Sequence, residues 1–210
     1  MTDTTPPQKA PGFNWDSRFD TPEYVFGREP SGFVPKVIGL LPKGARVLLI
    51  ADGEGRNSVG LAKAGFDVVA MEASKVGQDK ARALAAEQGV AVDFRLAKVE
   101  DWDWAENEFD AVVGIFIQFA SPALRSEMHK GIARTLKPGG LVMLHGYGPK
   151  QIEYNTGGPR VLENLYTLEL LRGDFPGWEE LLAEAYDQEI AEGVGHVGMS
   201  ALVVVIAKMP

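Results

Sequence analysis

"RVLLIADGEGRNSVGLAKAGFDVVAMEAS" (residues 46–74) passes from an apolar run into a turn with glycines at 53 and 55, then a helical pattern, then a second apolar run ending on Glu72. A turn between strand and helix presents backbone N–H groups and a helix N-terminus to a ligand, and glycine lets the backbone approach it closely. Gly53 and Gly55 hold that position, and a carboxylate at Glu72 is placed to accept hydrogen bonds from two vicinal ribose hydroxyls. The layout suits a dinucleotide or an adenosyl group.

The same alternation continues to residue 147. Residues 45–50, 67–72, 91–96, 110–116 and 141–147 read as buried strands, and the helical patterns between them imply a parallel sheet. The first helix is expected from Arg56 to Gly65, where glycine suits a left-handed C-cap, and the second from Ser74 as N-cap to Gly89. A later helix opens at Ser121-Pro122, repeats Leu124, Met128, Ile132 and Leu136, and stops at "KPGG", 137–140. Residues 148–175 are polar and turn-rich and read as a lid or insertion after strand five, with a helix capped by Thr167. "GWEELLAEAYDQEI" (177–190) fits helix or strand. Strand is expected, because "SALVVVIAKM" (200–209) needs a partner and "EGVGHVG" (192–198) suits the connection. Residues 1–12 read as a mobile tail, 13–44 as a helical cap, and 13–210 as one domain.

Composition narrows the function. With 45% hydrophobic and 24% charged residues the 210-residue chain is expected to be an ordinary globule. Its 21 Lys and Arg against 29 Asp and Glu, net charge −8, leave no footprint for a nucleic-acid backbone, so no nucleic acid is expected as partner. The absence of cysteine excludes disulfides, thiolate metal sites and a Cys nucleophile, and fits a cytoplasmic protein. The N-terminus lacks a secretory signal, and the apolar run at 201–207 is far too short to span a bilayer, so no membrane association is expected. No metal is expected from the His, Asp and Glu spacing, and no G-x-S-x-G elbow occurs.

A dinucleotide turn asks for G-x-G-x-x-G, but the third position here is Ser58, preceded by the bulky Arg56 and Asn57. The adenosyl group is therefore favoured over a nicotinamide cofactor. "GEGRN" (53–57), "IFIQF" (115–119) and "LKPGG" (136–140) resemble motifs of the class I S-adenosylmethionine-dependent methyltransferases. "WDSRF" (15–19), "YNTGGP" (154–159) and "EGVGHVGMSAL" (192–202) are similar to segments of a small bacterial group described as tellurite-resistance or thiopurine-methyltransferase-like. The likeness runs from Trp15 to Pro210.

The resemblance implies an α/β, Rossmann-like, doubly wound sheet of seven mostly parallel strands with an antiparallel last strand. It also implies S-adenosyl-L-methionine at the carboxyl ends of the first strands. Gly53 and Gly55, with Asp52 and Asn57, would serve the methionine part. Glu72 and Ala73 would serve the ribose, and Val99 with Glu100 or Asp101 the adenine. Ile115 opens a segment that would border both cofactor and substrate. Two departures stand out. The usual acid-x-Gly-x-Gly-x-Gly reads Leu49-x-Ala51-x-Gly53-x-Gly55, so Asp52 is expected to replace the missing acid from another direction. Lys98 stands where an acid or amide usually meets the adenine amino group, and an ammonium cannot accept that bond.

Methyl transfer from a sulfonium is an in-line displacement that needs alignment, plus a base where the acceptor is an amine or hydroxyl. His145, at the end of strand five, is the first candidate base, set against a histidine that merely finishes a strand. Gln118 is placed to orient a substrate, Tyr147 to offer a hydroxyl, and Gln151 and Tyr154 to act from the lid. His196, read as part of the loop before the last strand, either reaches the same pocket or braces the loop. Ahead of the first strand, Trp15, Arg18, Phe19, Tyr24 and Phe26 form either a substrate-side flap or an ordinary packed helix. His129 reads as a partly exposed helix residue, and Trp102 and Trp104 as cover for the adenine edge or the core. The expected activity is methyl transfer to a small molecule, such as a thiol or another soft nucleophile, by a monomer or homodimer. Protein side-chain methylation and non-catalytic binding of S-adenosyl compounds are the alternatives.

Overall fold

Alternation along each central strand builds two cores, one on either face of the sheet. In β1 (Arg46–Ile50), Leu48 and Ile50 face one side with Val112, Val142, Leu144 and Val205, while Val47 and Leu49 face the other with Val113, Met143 and Ile206. Helices cover both faces, which is why the middle strands are continuously apolar. The computed structural model describes residues 14–210; the tail expected at 1–12 and the first residue of the cap lie outside the described residues.

The chain runs α1 (Trp15–Phe19), α2 (Val34–Leu40), β1, α3 (Arg56–Lys63), β2 (Asp67–Glu72), α4 (Lys75–Glu87), β3 (Asp93–Leu96), β4 (Phe109–Ile115) and α5 (Pro122–Thr135). It continues through β5 (Leu136–Tyr147), α6 (Gln151–Tyr154), α7 (Leu168–Asp174), β6 (Glu179–Glu192) and β7 (His196–Lys208). The sheet has seven strands in the order β3-β2-β1-β4-β5-β7-β6. β1 to β5 pair in parallel, and β7 runs antiparallel to both β5 and β6. The order reverses between β1 and β4, and ligands of open α/β sheets bind at the carboxyl ends beside such a reversal.

Caps set the helix starts. Ser74, Ser121 and Thr167 accept from the N–H groups of Gly77, Leu124 and Leu170 at 3.0, 3.4 and 3.0 Å. Segment 177–190, ambiguous in sequence, is strand from Glu179 onward, within β6. Two boundaries differ from expectation. The helix of residues 122–135 stops at Thr135, and "LKPGG" lies inside β5, where Gly139 takes φ 76° and the pairing with β4 shifts register. His196 opens β7 opposite Glu192 instead of lying in the connection, so the turn is only residues 193–195.

Candidate active site

The cofactor half is built on the loops after β1 and β2. Glu72, 6% exposed, stitches them together: its Oε2 accepts the Gly53 N–H at 2.7 Å and its Oε1 the Ser74 N–H at 2.7 Å. Burial pushes this carboxyl up, while the N–H bonds from Ser74, Gly53 and Ala73 pull it back. Each carboxylate oxygen keeps a second lone pair for a ribose hydroxyl. Ala73 is exposed beside it, and on the neighbouring β3 side the 3₁₀ turn Val99–Asp101 buries Val99 and leaves Glu100 and Asp101 exposed. Ile115 is half-buried at the end of β4.

The glycine loop divides its duties differently from the expectation. Gly53 has φ 64°, and a Cβ there would lie 3.4 Å from the Phe19 ring, so α1 covers the loop. Gly55 has φ 89°, and its Cβ would fall 2.6 Å from the Cβ of Ala81. Its smallness therefore serves the close approach of α3 to α4. Asp52 is already engaged within its own loop. Its Oδ1 accepts the Ser58 N–H at 3.2 Å and its Oδ2 the Ser58 hydroxyl, which caps an α3 start that Gly55 cannot cap by side chain. Burial raises its pKa to about 6. Asn57 is likewise occupied: its Oδ1 accepts the buried Ser31 N–H at 2.9 Å and ties the cap segment to α3.

The acceptor half is a wall of rings. From the glycine loop, Phe19 and Trp15 stack at 5.5 Å and both reach Phe26, at 6.2 and 6.5 Å. Phe26 lies 4.5 Å from His196, and His196 lies 4.3 Å from Phe116. Phe116 in turn contacts Tyr147 at 4.7 Å and His145 at 5.2 Å, and Phe33 stacks on His145 at 5.0 Å. Phe116 holds φ 56°, unusual for a non-glycine residue, while its N–H donates to the His145 carbonyl at 2.8 Å. His145 Nε2 lies 3.2 Å from the Tyr186 hydroxyl.

Among the described residues, the Nδ1 atoms of His145 and His196 are buried without a partner. The Tyr147 hydroxyl lies near Ser200 but makes no well-formed hydrogen bond. Burial holds both imidazoles down to about 4, so both are neutral at physiological pH. It pushes the Tyr147 phenol up.

Several expected site residues stand elsewhere. Gln118 spends its amide on Tyr147, donating to the backbone carbonyl at 2.6 Å and accepting the N–H at 2.8 Å, so it is a positioning residue. Tyr24 donates to the Lys80 carbonyl at 3.0 Å, beside α4. Tyr154 donates to Asp187 at 2.8 Å on the outer side of β6. Arg18 is exposed on α1, close enough to act electrostatically on His196. Gln151 is buried and braces its loop to the Ala201 N–H at 2.9 Å. His129 is also buried, not half-exposed, with Nδ1 2.8 Å from Asp174, and Trp102 belongs to the core.

Other contributors were invisible in sequence. Arg56 and Glu192 form a buried pair at 2.6 Å, and Glu192 Oε1 accepts from the Ser31 hydroxyl and the Gly32 N–H, both at 3.0 Å. Glu54 pairs with Lys80 at 2.8 Å and accepts the Phe26 N–H at 3.3 Å. Both acids fix the cap segment over the site, but their partners are distant in the chain. The only local signal was two charges inside a glycine turn. Among the described residues no cluster of His, Asp and Glu could hold a metal, and no helix is long and apolar enough to cross a membrane.

Residues 47–140 match the family described as "Methyltransferase domain". The chain is 30% identical over 151 residues, 71% of its length, to a ubiquinone biosynthesis O-methyltransferase of Alkalilimnicola ehrlichii. It spans 59% of that relative and 36% of an uncharacterized protein of Mycobacterium tuberculosis that it matches at 28% identity over 99 residues. In fold it is similar to TehB from Haemophilus influenzae, with TM-score 0.70, 15% identity, and 85% of this chain and 62% of that one covered. It is also similar to a methyltransferase from Methanosarcina mazei, with TM-score 0.67, 19% identity, and 83% and 97% covered. The strand order β3-β2-β1-β4-β5-β7-β6 with an antiparallel β7 is that of the class I methyltransferase fold. Residues 47–140 thus carry a methyltransferase domain, within a chain that has the fold of S-adenosylmethionine-dependent methyltransferases.

Proposed function

We propose that the protein transfers a methyl group from S-adenosyl-L-methionine to a small-molecule acceptor held against the wall of rings. The observation that carries this reading is the Glu72 carboxylate, fixed between the Gly53 and Ser74 N–H groups at the end of β2 with lone pairs to spare for ribose hydroxyls. The exposed Glu100 and Asp101 offer acceptors for the adenine amino group that Lys98 cannot. When bound, the cofactor supplies an electrophilic methyl on a sulfonium. The protein's own part is to align the acceptor and keep water out, which the cap segment 14–32 does by closing Phe19 and Phe26 over the loop. A cytoplasmic setting and a monomer or homodimer complete the proposal. Soft acceptors such as thiols, and protein side chains, fall within the same chemistry.

Calorimetry with S-adenosylmethionine, S-adenosylhomocysteine and NADH tests it. The two adenosyl ligands are expected to bind, NADH is not, and Glu72→Gln is expected to weaken binding at least tenfold while the circular dichroism stays native. Binding of NADH alone would overturn the reading.

A second reading, a binder of S-adenosyl compounds without turnover, draws on the commitment of Asp52 to Ser58, which leaves the cofactor's amino group without the family's usual acid. Release of S-adenosylhomocysteine that depends on an added acceptor would remove it.

A further inference from the structure

We infer that the acceptor is a flat, uncharged molecule carrying a hydroxyl group, and that His196 takes the proton of that hydroxyl as the methyl group arrives. The inference rests on the methyl-transfer reading above and adds the acceptor's chemistry to it.

Four observations converge. First, the wall is aromatic: His196 sits between Phe26 and Phe116 at 4.5 and 4.3 Å, and Tyr147 meets it edge-on at 5.8 Å. Such walls bind planar rings by offset or edge contacts. Second, the imidazole of His196, 7% exposed, leaves Nδ1 without a partner among the described residues. Buried polar atoms are nearly always satisfied by a hydrogen bond, so this nitrogen is open to a ligand group.

Third, the charges nearby are already spent. Arg56 and Glu192 neutralise each other at 2.6 Å, and Ser31 and Gly32 hold the other Glu192 oxygen. The remaining cations that act on the two histidines, Arg18 and Lys36, are exposed side chains outside the wall. The chain itself therefore offers an anionic or ammonium acceptor no free charged partner for the water it would lose. Fourth, there is a way in. A cleft of about 440 Å³ between residues 26–32 and 188–193 has Phe26 on its border, and the same ring is in contact with His196. The volume suits a small aromatic molecule.

Of the two histidines, His145 has Nε2 at the Tyr186 hydroxyl and is packed against the rings of Phe33 and Phe116, which suits a wall. His196 stands nearer the cleft. Burial and the fields of Arg56, His145 and Arg18 keep its imidazole unprotonated, opposed only by Glu192. In the step, the acceptor O–H bond breaks and its proton passes to the imidazole. A new O–C bond forms while the C–S bond breaks and leaves its electron pair on sulfur. The positive charge moves from sulfonium to imidazolium, so the site carries one positive charge before and after. Water takes the proton when the products leave.

The test uses the full chain, S-adenosylmethionine, and four compounds that differ only in the reacting group: phenol, thiophenol, aniline and benzoate. Release of S-adenosylhomocysteine is expected to be at least tenfold faster with phenol than with the other three. His196→Gln is expected to lower kcat for phenol about 100-fold, with cofactor affinity unchanged within threefold. It should also make the residual phenol rate rise tenfold per pH unit, because only the phenolate then reacts. Residual thiophenol turnover, which needs no base, should survive in the variant and shows that it is folded. Faster turnover of thiophenol or benzoate, an equal loss with phenol and thiophenol in the variant, or cofactor binding with no phenol turnover would each overturn the inference and leave the cofactor reading standing. Failure to bind S-adenosylmethionine would overturn both.

Discussion

Ala51 sits at φ 51°, in the left-handed region, at the position where the methyltransferase pattern calls for glycine. A Cβ in that conformation costs about 1–2 kcal/mol, while glycine adds about 0.4–1 kcal/mol of disorder to the unfolded chain. Ala51→Gly is therefore expected to leave stability unchanged or raise it by up to about 1 kcal/mol in urea melts, although nearly every other alanine-to-glycine change destabilises. Gly55→Ala is expected to go the other way, by roughly 2–3 kcal/mol, because its methyl would overlap Ala81 at 2.6 Å at a φ of 89°. Asp52 links residue to pH. Its folded pKa of about 6 lies above the unfolded value of 3.8, so the folded state binds the extra proton and stability falls as pH rises through that window. Asp52→Asn keeps a partner for Ser58 and removes the buried charge. It should gain on the order of 1–3 kcal/mol at pH 8 relative to pH 4, read as a difference in unfolding free energy between the two.

Elements show how much of this was legible in the sequence. The strands announced themselves because both faces of β1, β2, β4 and β5 are covered, which forces unbroken apolar runs, and Ser74, Ser121 and Thr167 marked real caps. Glu72 was legible because the cofactor half is local: two consecutive loops and one acid. The ring wall was legible only in part: Phe26, His145, Tyr147 and His196 were candidates in the sequence, but nothing local joined them, and Phe33 and Tyr186, which complete the wall from other segments, read alone as core. The hairpin of β6 and β7 illustrates the same limit. Its turn glycines have a purpose only once folded: a Cβ on Gly193 would fall 2.3 Å from the Gly27 nitrogen, and one on Gly195 would fall 2.4 Å from the Phe26 ring. The N–H groups of Val194 and Gly195 both donate to the Val25 carbonyl, at 2.9 and 3.0 Å. The turn thus clamps the cap segment, and Arg56–Glu192 bolts it to α3. Glu192→Ala strands a buried guanidinium and should cost about 3–5 kcal/mol, whereas replacing both partners by methionine and leucine should cost far less. Urea melts of the single and paired variants check the contrast.

At the scale of the whole molecule, the two pocket histidines govern the response to acid. Their folded pKa values, about 4, lie below the unfolded 6.5, so the unfolded chain gains protons that the folded one refuses and stability is lost as pH falls from 6.5 towards 4. Each contributes on the order of 3 kcal/mol to that loss, and Asp52, titrating the other way over a similar range, offsets part of it. Replacing both histidines by phenylalanine should flatten the acid limb of a melting-temperature profile between pH 6.5 and 4.

The outer strand of the sheet adds a colloidal property. β6 is bonded only to β7, so along fourteen residues its other edge offers unpaired backbone to any second strand that arrives. Six carboxylates lie along β6, but Glu180, Asp187 and Glu192 are paired with Arg172, Lys150 and Arg56 and Glu179 lies 3.9 Å from Lys208, so among the described residues its unpaired charges are Glu184 and Glu189. While they are ionised, two such edges repel, and the molecule carries its own deterrent against stacking into ribbons. A variant in which Glu184 and Glu189 are glutamine loses that deterrent, so it should scatter more light than the wild type at low salt, and added salt, which screens the two charges, should narrow the difference.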